Sequence, residues 1–288
     1  MTYRELCREG VTALTGRFPD TADFIARELL LGVSGLSRAD YPLTQNDRCP
    51  PPVEGQYRKG ILELLNGRPL QYLLGEWDFY GLTFSVGEGV LIPRPETELL
   101  VDSVLDYQRL HPGKPLRVLD LCAGSGCIGL TIAHECPEAT VIAVEKSPEA
   151  FSYLKKNAAA LSMGERYLPV PGDILEEPAE QLRSLGPFDV LVSNPPYIRT
   201  GELPSLPREV QREPSMALDG GEDGLLFYRA IRMFWLSLLK PGALVALESG
   251  EDQGDDLLTL FQDSLDRPAV YRDYAGLPRG LTGKMPSD

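Results

Sequence analysis

With 288 residues, 43% of them hydrophobic and 24% charged, the chain has room for one large domain plus a smaller one, or for two modest ones, and its formal charge of −14 sets up a field that disfavours nucleic acid as a partner. No run approaches the roughly 18 apolar residues of a membrane span, and Met1-Thr2-Tyr3-Arg4-Glu5 is not the basic start of a secretory signal, so no membrane contact and a cytoplasmic location are expected. The five cysteines, Cys7, Cys49, Cys122, Cys127 and Cys136, form no Cys-x-x-Cys pair and have only His111 and His134 to help them, which argues for reduced thiols and against a metal site.

Residues 2–15 and 20–33 read as helices, the second with Asp20 as its N-cap ahead of Phe24, Ile25, Leu29 and Leu30 at helical spacing. Gly32 and Gly35 end it. A connector, Cys49-Pro50-Pro51-Pro52, precedes a third helical stretch carrying Tyr57, Ile61, Leu64 and Leu65, which stops at Asn66-Gly67. Residues 1–75 are therefore expected to form a small helical domain, with an N-terminal extension packed on the main domain as the alternative that pattern alone leaves open. From Trp77 to Ile92 aromatic and β-branched residues around Gly81 and Gly87-Glu88-Gly89 suggest a hairpin, a linker over residues 76–93. Pro93-Arg94-Pro95 breaks it, and Glu96-Thr97-Glu98 opens a helix through Leu99, Leu100, Val101 and Val104. Acids in a first helical turn are ordinary partners of the helix dipole, so Arg94, Glu96 and Glu98 are no more than a possible site loop on pattern alone.

Residues 94–288 then alternate strands and helices at short intervals. Strands are expected over Leu116–Leu121, Thr140–Val144, Tyr167–Val170, Phe188–Val192 and Ala243–Leu247. Helices are expected over Cys127–His134, from Ser147-Pro148 to Leu161, and along Leu225–Leu239. This βαβ spacing predicts an α/β fold with an open, mainly parallel sheet and helices on both faces. Ligands of such sheets bind beyond the carboxyl ends of the strands, where the strand order reverses. Residues 199–223 have little pattern and several glycines and prolines, as expected of a lid over those strand ends.

Asp120-Leu121-Cys122-Ala123-Gly124-Ser125-Gly126 follows the first strand of this region and leads into a helix. Glycines let the backbone turn sharply and approach a ligand, and the helix start offers free N–H groups. Gly124-x-Gly126-x-x-Gly129 satisfies the dinucleotide fingerprint, and Glu145, at the end of the next strand, is placed to accept from both hydroxyls of a ribose. Asp120 would repel a pyrophosphate but could help to anchor a cationic amino acid. Together with the next motif it points to S-adenosylmethionine as the cofactor.

That motif is Ser193-Asn194-Pro195-Pro196-Tyr197, directly after the strand Phe188–Val192. Two successive prolines cannot continue a sheet. What then projects from the strand end is a carboxamide (Asn194), a backbone carbonyl (Pro195) and an aromatic face (Tyr197), a set able to grip a planar NH2 group. An ordinary Pro-Pro turn is the plain alternative for the isolated tetrapeptide.

Taken together, these residues resemble the HemK/PrmC family of protein-glutamine N5-methyltransferases, which modify class-1 peptide chain release factors. The resemblance runs from Pro69-Leu70-Gln71-Tyr72-Leu73-Leu74-Gly75-Glu76 through Phe79-Tyr80-Gly81-Leu82 and Val90-Leu91-Ile92-Pro93-Arg94-Pro95-Glu96-Thr97-Glu98. It continues with Gly124-Ser125-Gly126, Asn194-Pro195-Pro196-Tyr197-Ile198, Glu213-Pro214 and Ala217-Leu218-Asp219-Gly220-Gly221. Asn-Pro-Pro-Tyr alone is shared with adenine and guanine amino methyltransferases. Arg-Pro-Glu-Thr-Glu beside it is more specific.

The resemblance implies a Rossmann-like, seven-stranded, mostly parallel methyltransferase sheet and an N-terminal helical domain that helps to hold the release factor. It also implies a cofactor site of Asp120, Cys122, Ala123, Gly124, Ser125, Gly126, Glu145, Ile174 and Asn194, and a substrate glutamine held by Asn194, Pro195, Pro196 and Tyr197. Cys122 and Ala123 stand where the family usually has Gly and Thr, and Glu145 replaces the usual Asp. A monomer is expected, releasing S-adenosylhomocysteine. Asn194, Pro195 and Tyr197 would be the catalytic residues: with Asn194 Oδ1 and the Pro195 carbonyl each accepting one N–H, the amide nitrogen is fixed and enriched in electron density. An exocyclic-amino methyltransferase of nucleic acid is the alternative enzyme, opposed by the acidic charge. A noncatalytic nucleotide-binding or assembly protein is the alternative outside enzymes.

Overall fold

The computed structural model describes residues 1–287, and the chain divides into two compact units. The first comprises Met1–Glu76 with Pro207–Arg212; the second begins at Trp77, omits that short segment and takes in the rest.

The first unit is helical: α1 (Tyr3–Leu14), α2 (Ala22–Ser34), α3 (Tyr41–Thr44), α4 (Pro51–Leu65) and α5 (Leu70–Leu74). At α1 the Thr2 hydroxyl accepts from the Glu5 amide and the Glu5 carboxylate accepts from the Thr2 amide, so two orphan donors are satisfied reciprocally. Thr21, not Asp20, stands at the cap of α2, and neither side chain bonds the helix start. The prolines read as connector partly belong to α4. Pro51 and Pro52 occupy its first turn, where a missing N–H leaves no helical bond unmade. Leu6, Leu14, Leu29, Leu30, Tyr57 and Leu64 fill the core of this unit, each contributing about 1.5–3 kcal/mol by leaving water. Glu209 of the inserted segment accepts from Arg17 Nε at 2.9 Å and Nη2 at 2.7 Å.

The second unit opens with a hairpin, β1 (Glu76–Phe79, its first residue formally in the other unit) and β2 (Leu82–Ser85), turned at Tyr80 and Gly81 with φ of 52° and 75°. The residues after it are not a free linker. Val86 and Val90 pack against Ala150, Trp77 and Tyr153, and the Asn157 carboxamide bonds both the N–H and the C=O of Ser85. After a single 3₁₀ turn at Pro95–Thr97 come α6 (Glu98–Arg109), β3 (Arg117–Leu121), α7 (Cys127–Glu135), β4 (Thr140–Glu145), α8 (Pro148–Ala160), β5 (Tyr167–Pro171), α9 (Glu180–Arg183) and β6 (Phe188–Ser193). They are followed by α10 (Leu226–Ala230), β7 (Leu239–Glu248), α11 (Gly254–Phe261), β8 (Asp266–Arg272) and β9 (Pro278–Lys284).

Seven strands form one sheet in the order β5-β4-β3-β6-β7-β9-β8; the first five are parallel, and β9 runs antiparallel to both its neighbours. Alternation sorts the side chains. Val118, Val141, Val190 and Val192 meet Leu100, Val104, Leu130 and Ile132 on one face, while Leu119, Ile142, Leu191 and Val245 meet Ile231, Trp235 and Phe261 on the other. The order reverses between β3 and β6, so the crevice for a ligand lies at their carboxyl ends.

The long helix expected over Leu225–Leu239 is instead broken after α10 by a π-helical turn at Ile231–Trp235 and a 3₁₀ turn at Leu236–Leu238. Trp235 from the wider turn is buried and its indole N–H donates to the Ile174 carbonyl at 2.8 Å, a tertiary bond that helical periodicity cannot reveal. Residues 199–223 are tied to the end of β6. Ile198 N–H donates to the Leu218 carbonyl, Gly220 N–H to the Ile198 carbonyl and Thr200 N–H to the Gly221 carbonyl.

Gly280 in β9 is opposite Glu248 of β7 and Tyr271 of β8. A Cβ there would lie 2.0 Å from the Leu247 carbonyl oxygen and 2.5 Å from the Tyr271 hydroxyl. Gly280→Ala is therefore expected to destabilise the fold by about 1–3 kcal/mol, whereas Gly201→Ala, with nothing within 4 Å of its added methyl, stays within about 0.5 kcal/mol. Thermal denaturation compares them; equal midpoints would contradict the packing of this sheet edge.

Candidate active site

Beyond β3 the backbone turns left-handed three times, at Cys122 (φ 58°), Gly124 (φ 57°) and Gly126 (φ 83°), before α7 starts. Gly126 also has no room for a side chain, since a Cβ would come 2.8 Å from Leu130 and 2.9 Å from the Tyr167 hydroxyl. Cys122 bears the same conformation with a Cβ, a strain of about 1–2 kcal/mol. Glu145, the last residue of β4, locks the loop: Oε2 accepts from Gly124 N–H at 2.8 Å and Oε1 from Ser147 N–H at 2.6 Å. Burial raises its pKa, and these amides oppose the rise.

An open cleft with about 940 Å³ of atom-free space, solvent at its mouth included, lies over the strand ends. Cys122, Ala123, Gly124, Ser125 and Ile128 line one part. Glu145, Lys146, Ser147, Asp173 and Ile174 line another, and Asn194 and Pro196 follow from β6. Ile92, Pro93, Arg94 and Thr97 approach from the segment before α6, and Pro214, Met216, Ala217 and Phe227 from beyond β6. The cleft thus joins both motifs that the sequence separates by some seventy residues.

Several expected residues stand elsewhere. Asp120 does not line the cleft; it is fully buried, its Oδ2 accepts from Gly129 N–H at 3.1 Å, and its Oδ1 has no partner among the described residues. Burial, above all, and then the Glu145 charge hold its carboxyl up at about 8, against the pull of the Gly129 amide. Gly126, Pro195 and Tyr197 are also outside the lining; the Tyr197 carbonyl is held by Gln253 Nε2 at 3.0 Å. Of the candidate loop, Arg94 lines the cleft and pairs with Glu213, whose Oε2 also accepts from Ile92 N–H at 3.0 Å. Glu98 turns away and accepts from Tyr80 N–H at 2.7 Å, bracing the hairpin turn. Glu96 does not line the cleft.

Asn194 is half-buried at the end of β6, which Ser193 ties to β3 by donating its hydroxyl to the Leu121 carbonyl at 2.7 Å. Its Nδ2 donates to Thr97 Oγ1 at 3.2 Å. Lys146 and Asp173 line the cleft outside every motif, and Thr97 lies within Arg-Pro-Glu-Thr-Glu without having been assigned to the site; Lys146 and Asp173 form an ion pair at 2.6 Å between the ends of β4 and β5. The available signal was position: Lys146 directly follows β4, Asp173 stands two residues past β5, and Thr97 directly precedes α6.

Comparison with known proteins decides the family. A model described as PrmC N-terminal domain matches residues 5–75, and one described as methyltransferase small domain matches residues 96–213. The release factor glutamine methyltransferase of Moorella thermoacetica is 38% identical over 97% of this chain and 97% of its own length. The chain belongs to the release factor glutamine methyltransferase family. The corresponding enzyme of Clostridium acetobutylicum is 43% identical over 79% of this chain and 80% of its own. Among solved structures, the catalytic domain of hMettl16 in complex with a 3′UTR hairpin, 16% identical with a TM-score of 0.58 over 83% of each chain, shares the fold.

Two outcomes follow from the buried acids and thiol of this family member. An unfolded aspartate releases its proton near pH ~4, while folded Asp120 keeps it up to about 8. The stability from this group is thus complete below the lower value and lost as pH rises through the upper one. The melting temperature should fall more steeply between about pH 5 and 8 in the wild type than in Asp120→Asn; parallel curves would contradict the buried neutral carboxyl. The Cys122 thiol lines the cleft, yet burial first, and then Glu145 and Asp120, push its pKa well up. Iodoacetamide at neutral pH should therefore alkylate it more slowly than a free thiol, read by peptide mass spectrometry, and a faster rate would contradict the assignment.

Proposed function

We propose that this chain transfers a methyl group from S-adenosylmethionine to the side-chain nitrogen of the glutamine in the Gly-Gly-Gln loop of a class-1 peptide chain release factor, acting as a cytoplasmic monomer. The observation that carries the reading is Asn194. Its Nδ2 is committed to Thr97, and its Oδ1 has no donor among the described residues on a side chain that lines the cleft. A carboxamide so held offers an acceptor, which is what a planar NH2 requires.

The cleft fits the cofactor on its own chemistry. Glu145 uses one lone pair on each oxygen for the loop amides, leaving others for the two hydroxyls of a ribose. Ile128 and Ile174 supply apolar walls for an adenine, and Trp235 fixes the Ile174 carbonyl from behind. Cys122 to Ser125 would hold the amino-acid end. When bound, S-adenosylmethionine supplies an electrophilic methyl group on a sulfonium.

The chain's own part is to position the nucleophile. An amide nitrogen is a poor donor because its lone pair is shared with the carbonyl. Asn194 Oδ1 is assigned to accept one of its N–H groups, and the Pro195 carbonyl, which no described group donates to and which stands between the lining residues Asn194 and Pro196, is assigned to accept the other. Both acceptors draw the N–H groups into fixed directions and stabilise the positive charge that develops on nitrogen. Orientation of this kind is worth several kcal/mol when aligned. Tyr197, outside the lining, packs against the apolar cluster beneath this strand end and backs the motif. The unit containing residues 1–75 is assigned to grip the release factor, in keeping with the family-model match over residues 5–75. The formal charge of −14 suits a protein substrate that must itself be basic to meet ribosomal RNA.

The test supplies methyl-labelled S-adenosylmethionine with a class-1 release factor, with the same factor carrying Glu for the glutamine of its Gly-Gly-Gln loop, and with bulk RNA or DNA. Label should appear only in the first; label in nucleic acid, or in the Glu form, would overturn the reading. In the same assay Asn194→Ala should lower turnover by roughly 100-fold or more while equilibrium binding of the cofactor holds within about twofold.

A further inference from the structure

The Asn194–Tyr197 motif has little backbone hydrogen bonding of its own. Pro195 and Pro196 have no N–H, so the run from Asn194 to Tyr197 is fixed from its two ends. At the first end the Ser193 hydroxyl donates to the Leu121 carbonyl at 2.7 Å. At the other end stands a residue from a different part of the chain. Gln253, 1% exposed, lies between β7 and α11. Its Nε2 donates to the Tyr197 carbonyl at 3.0 Å and to the Gly224 carbonyl at 3.3 Å, and its Oε1 accepts from Gly250 N–H at 2.9 Å. All three partners are backbone groups of fixed polarity, so the sense of this carboxamide is fixed too.

The two carbonyls belong to two segments that line the cleft. Tyr197 closes the motif whose Asn194 and Pro196 line it, and Gly224 leads into α10, whose Phe227 lines it with Pro214, Met216 and Ala217. Glycines keep room for the contact. A Cβ on Gly224, whose φ is 75°, would lie 2.4 Å from both Gln253 Nε2 and the Tyr197 carbonyl oxygen, and one on Gly220 would lie 2.7 Å from Tyr197 Cα. Next to them Ile198 N–H donates to the Leu218 carbonyl and Gly220 N–H to the Ile198 carbonyl. One buried NH2 group thus joins the end of the motif to the segment beside it.

Resting on the function proposed above, we propose that Gln253 is a positioning residue for methyl transfer: its NH2, shared between the Tyr197 and Gly224 carbonyls, holds the backbone from Asn194 to Tyr197 in the direction that presents Asn194 Oδ1 and the Pro195 carbonyl to the glutamine nitrogen. Without that donor two acceptors face each other. A buried acceptor left unpaired costs about 1–3 kcal/mol, which the loop relieves by turning away, and a shift of about 1 Å at the nucleophile costs on the order of 100-fold in rate.

A glutamate at this position makes the contact titrate. Ionised, it has no donor and sets a charge against two carbonyl oxygens; protonated, it has one O–H to return to them. The acids next in the chain to Gln253 and Gly224 are Asp252 and Asp223, and each is engaged by an arginine, Arg199 and Arg229 respectively. Burial favours the neutral acid, so a glutamate here keeps its proton above the ordinary value of ~4.3.

Three proteins test the assignment: wild type, Gln253→Met and Gln253→Glu, each with its melting temperature followed across the pH range of the assay. Gln253→Met keeps the bulk and removes the donors. It should lower kcat on the release factor roughly 10–100-fold, with KM for the factor within about threefold and cofactor binding within about twofold, because Gln253 bonds neither Glu145 nor the glycine loop. The kcat of Gln253→Glu, divided by that of wild type at the same pH, should climb roughly threefold or more from about pH 9 to about pH 6, while the same ratio for Gln253→Met stays level. That recovery in a protein folded throughout the range is not the mark of a residue that only stabilises the fold, and it keeps the assignment testable if Gln253→Met does not fold. A Gln253→Met enzyme with wild-type kcat, a loss confined to KM or to cofactor binding, or a ratio for Gln253→Glu that does not change with pH would overturn it. Absence of transfer by the wild type itself would instead overturn the proposed reaction.

Discussion

Two consecutive prolines end β6 at the place where β3, β4 and β7 also end. Pro195 and Pro196 have no N–H to offer a neighbouring strand, so the chain must leave the sheet, and Asn194 is left at the lip with its backbone still fixed by Ser193 and the Leu121 carbonyl. The organisation of the rest follows from keeping that one carboxamide in place. The glycine loop after β3 and Glu145 after β4 build the cleft on one side, Thr97 holds Nδ2 from the start of α6, and Gln253 secures the Tyr197 carbonyl just beyond.

Holding polar groups in this way requires several of them to be buried. Asp120, Glu145, Glu213 and Glu248 are all at most 9% exposed within a single unit of a chain already at −14. They differ in how they are satisfied. Glu213 meets Arg94 and the Ile92 amide, and Glu145 meets two amides, whereas Asp120 and Glu248 each keep one oxygen without a partner. The satisfied pair brace loops, and the unsatisfied pair have their ionisation pushed toward neutral pH by burial. Glu145 and Glu213 thereby hold the loops that border the cleft.

Where local pattern and tertiary placement agree, the sequence was legible. Alternating βα spacing foretold the five parallel strands and the crevice beyond them, because strands buried on both faces must be continuous apolar runs. Asn194, Cys122, Gly124, Glu145 and Ile174 do line one cleft. The antiparallel pair β8 and β9 was not legible, since Arg267, Pro268, Arg279 and Gly280 interrupt any strand pattern and pairing with β7 decides their state. The apolar pattern before β7 does not carry one long helix, because Trp235 follows a tertiary bond to Ile174 and not helical periodicity. Asp120 and Glu98 were carboxylates beside motifs, yet each is consumed by a backbone amide, a fate that depends on loop geometry.

The chemistry depends on the direction in which Asn194 faces its substrate. A crystal structure of the chain with S-adenosylhomocysteine and a release factor bearing its native glutamine measures this directly. The glutamine side-chain nitrogen should lie at about 3 Å from both Asn194 Oδ1 and the Pro195 carbonyl, with Asn194 Nδ2 still on Thr97. A glutamine whose oxygen, not its nitrogen, meets Asn194, or one bound outside the cleft, would contradict it.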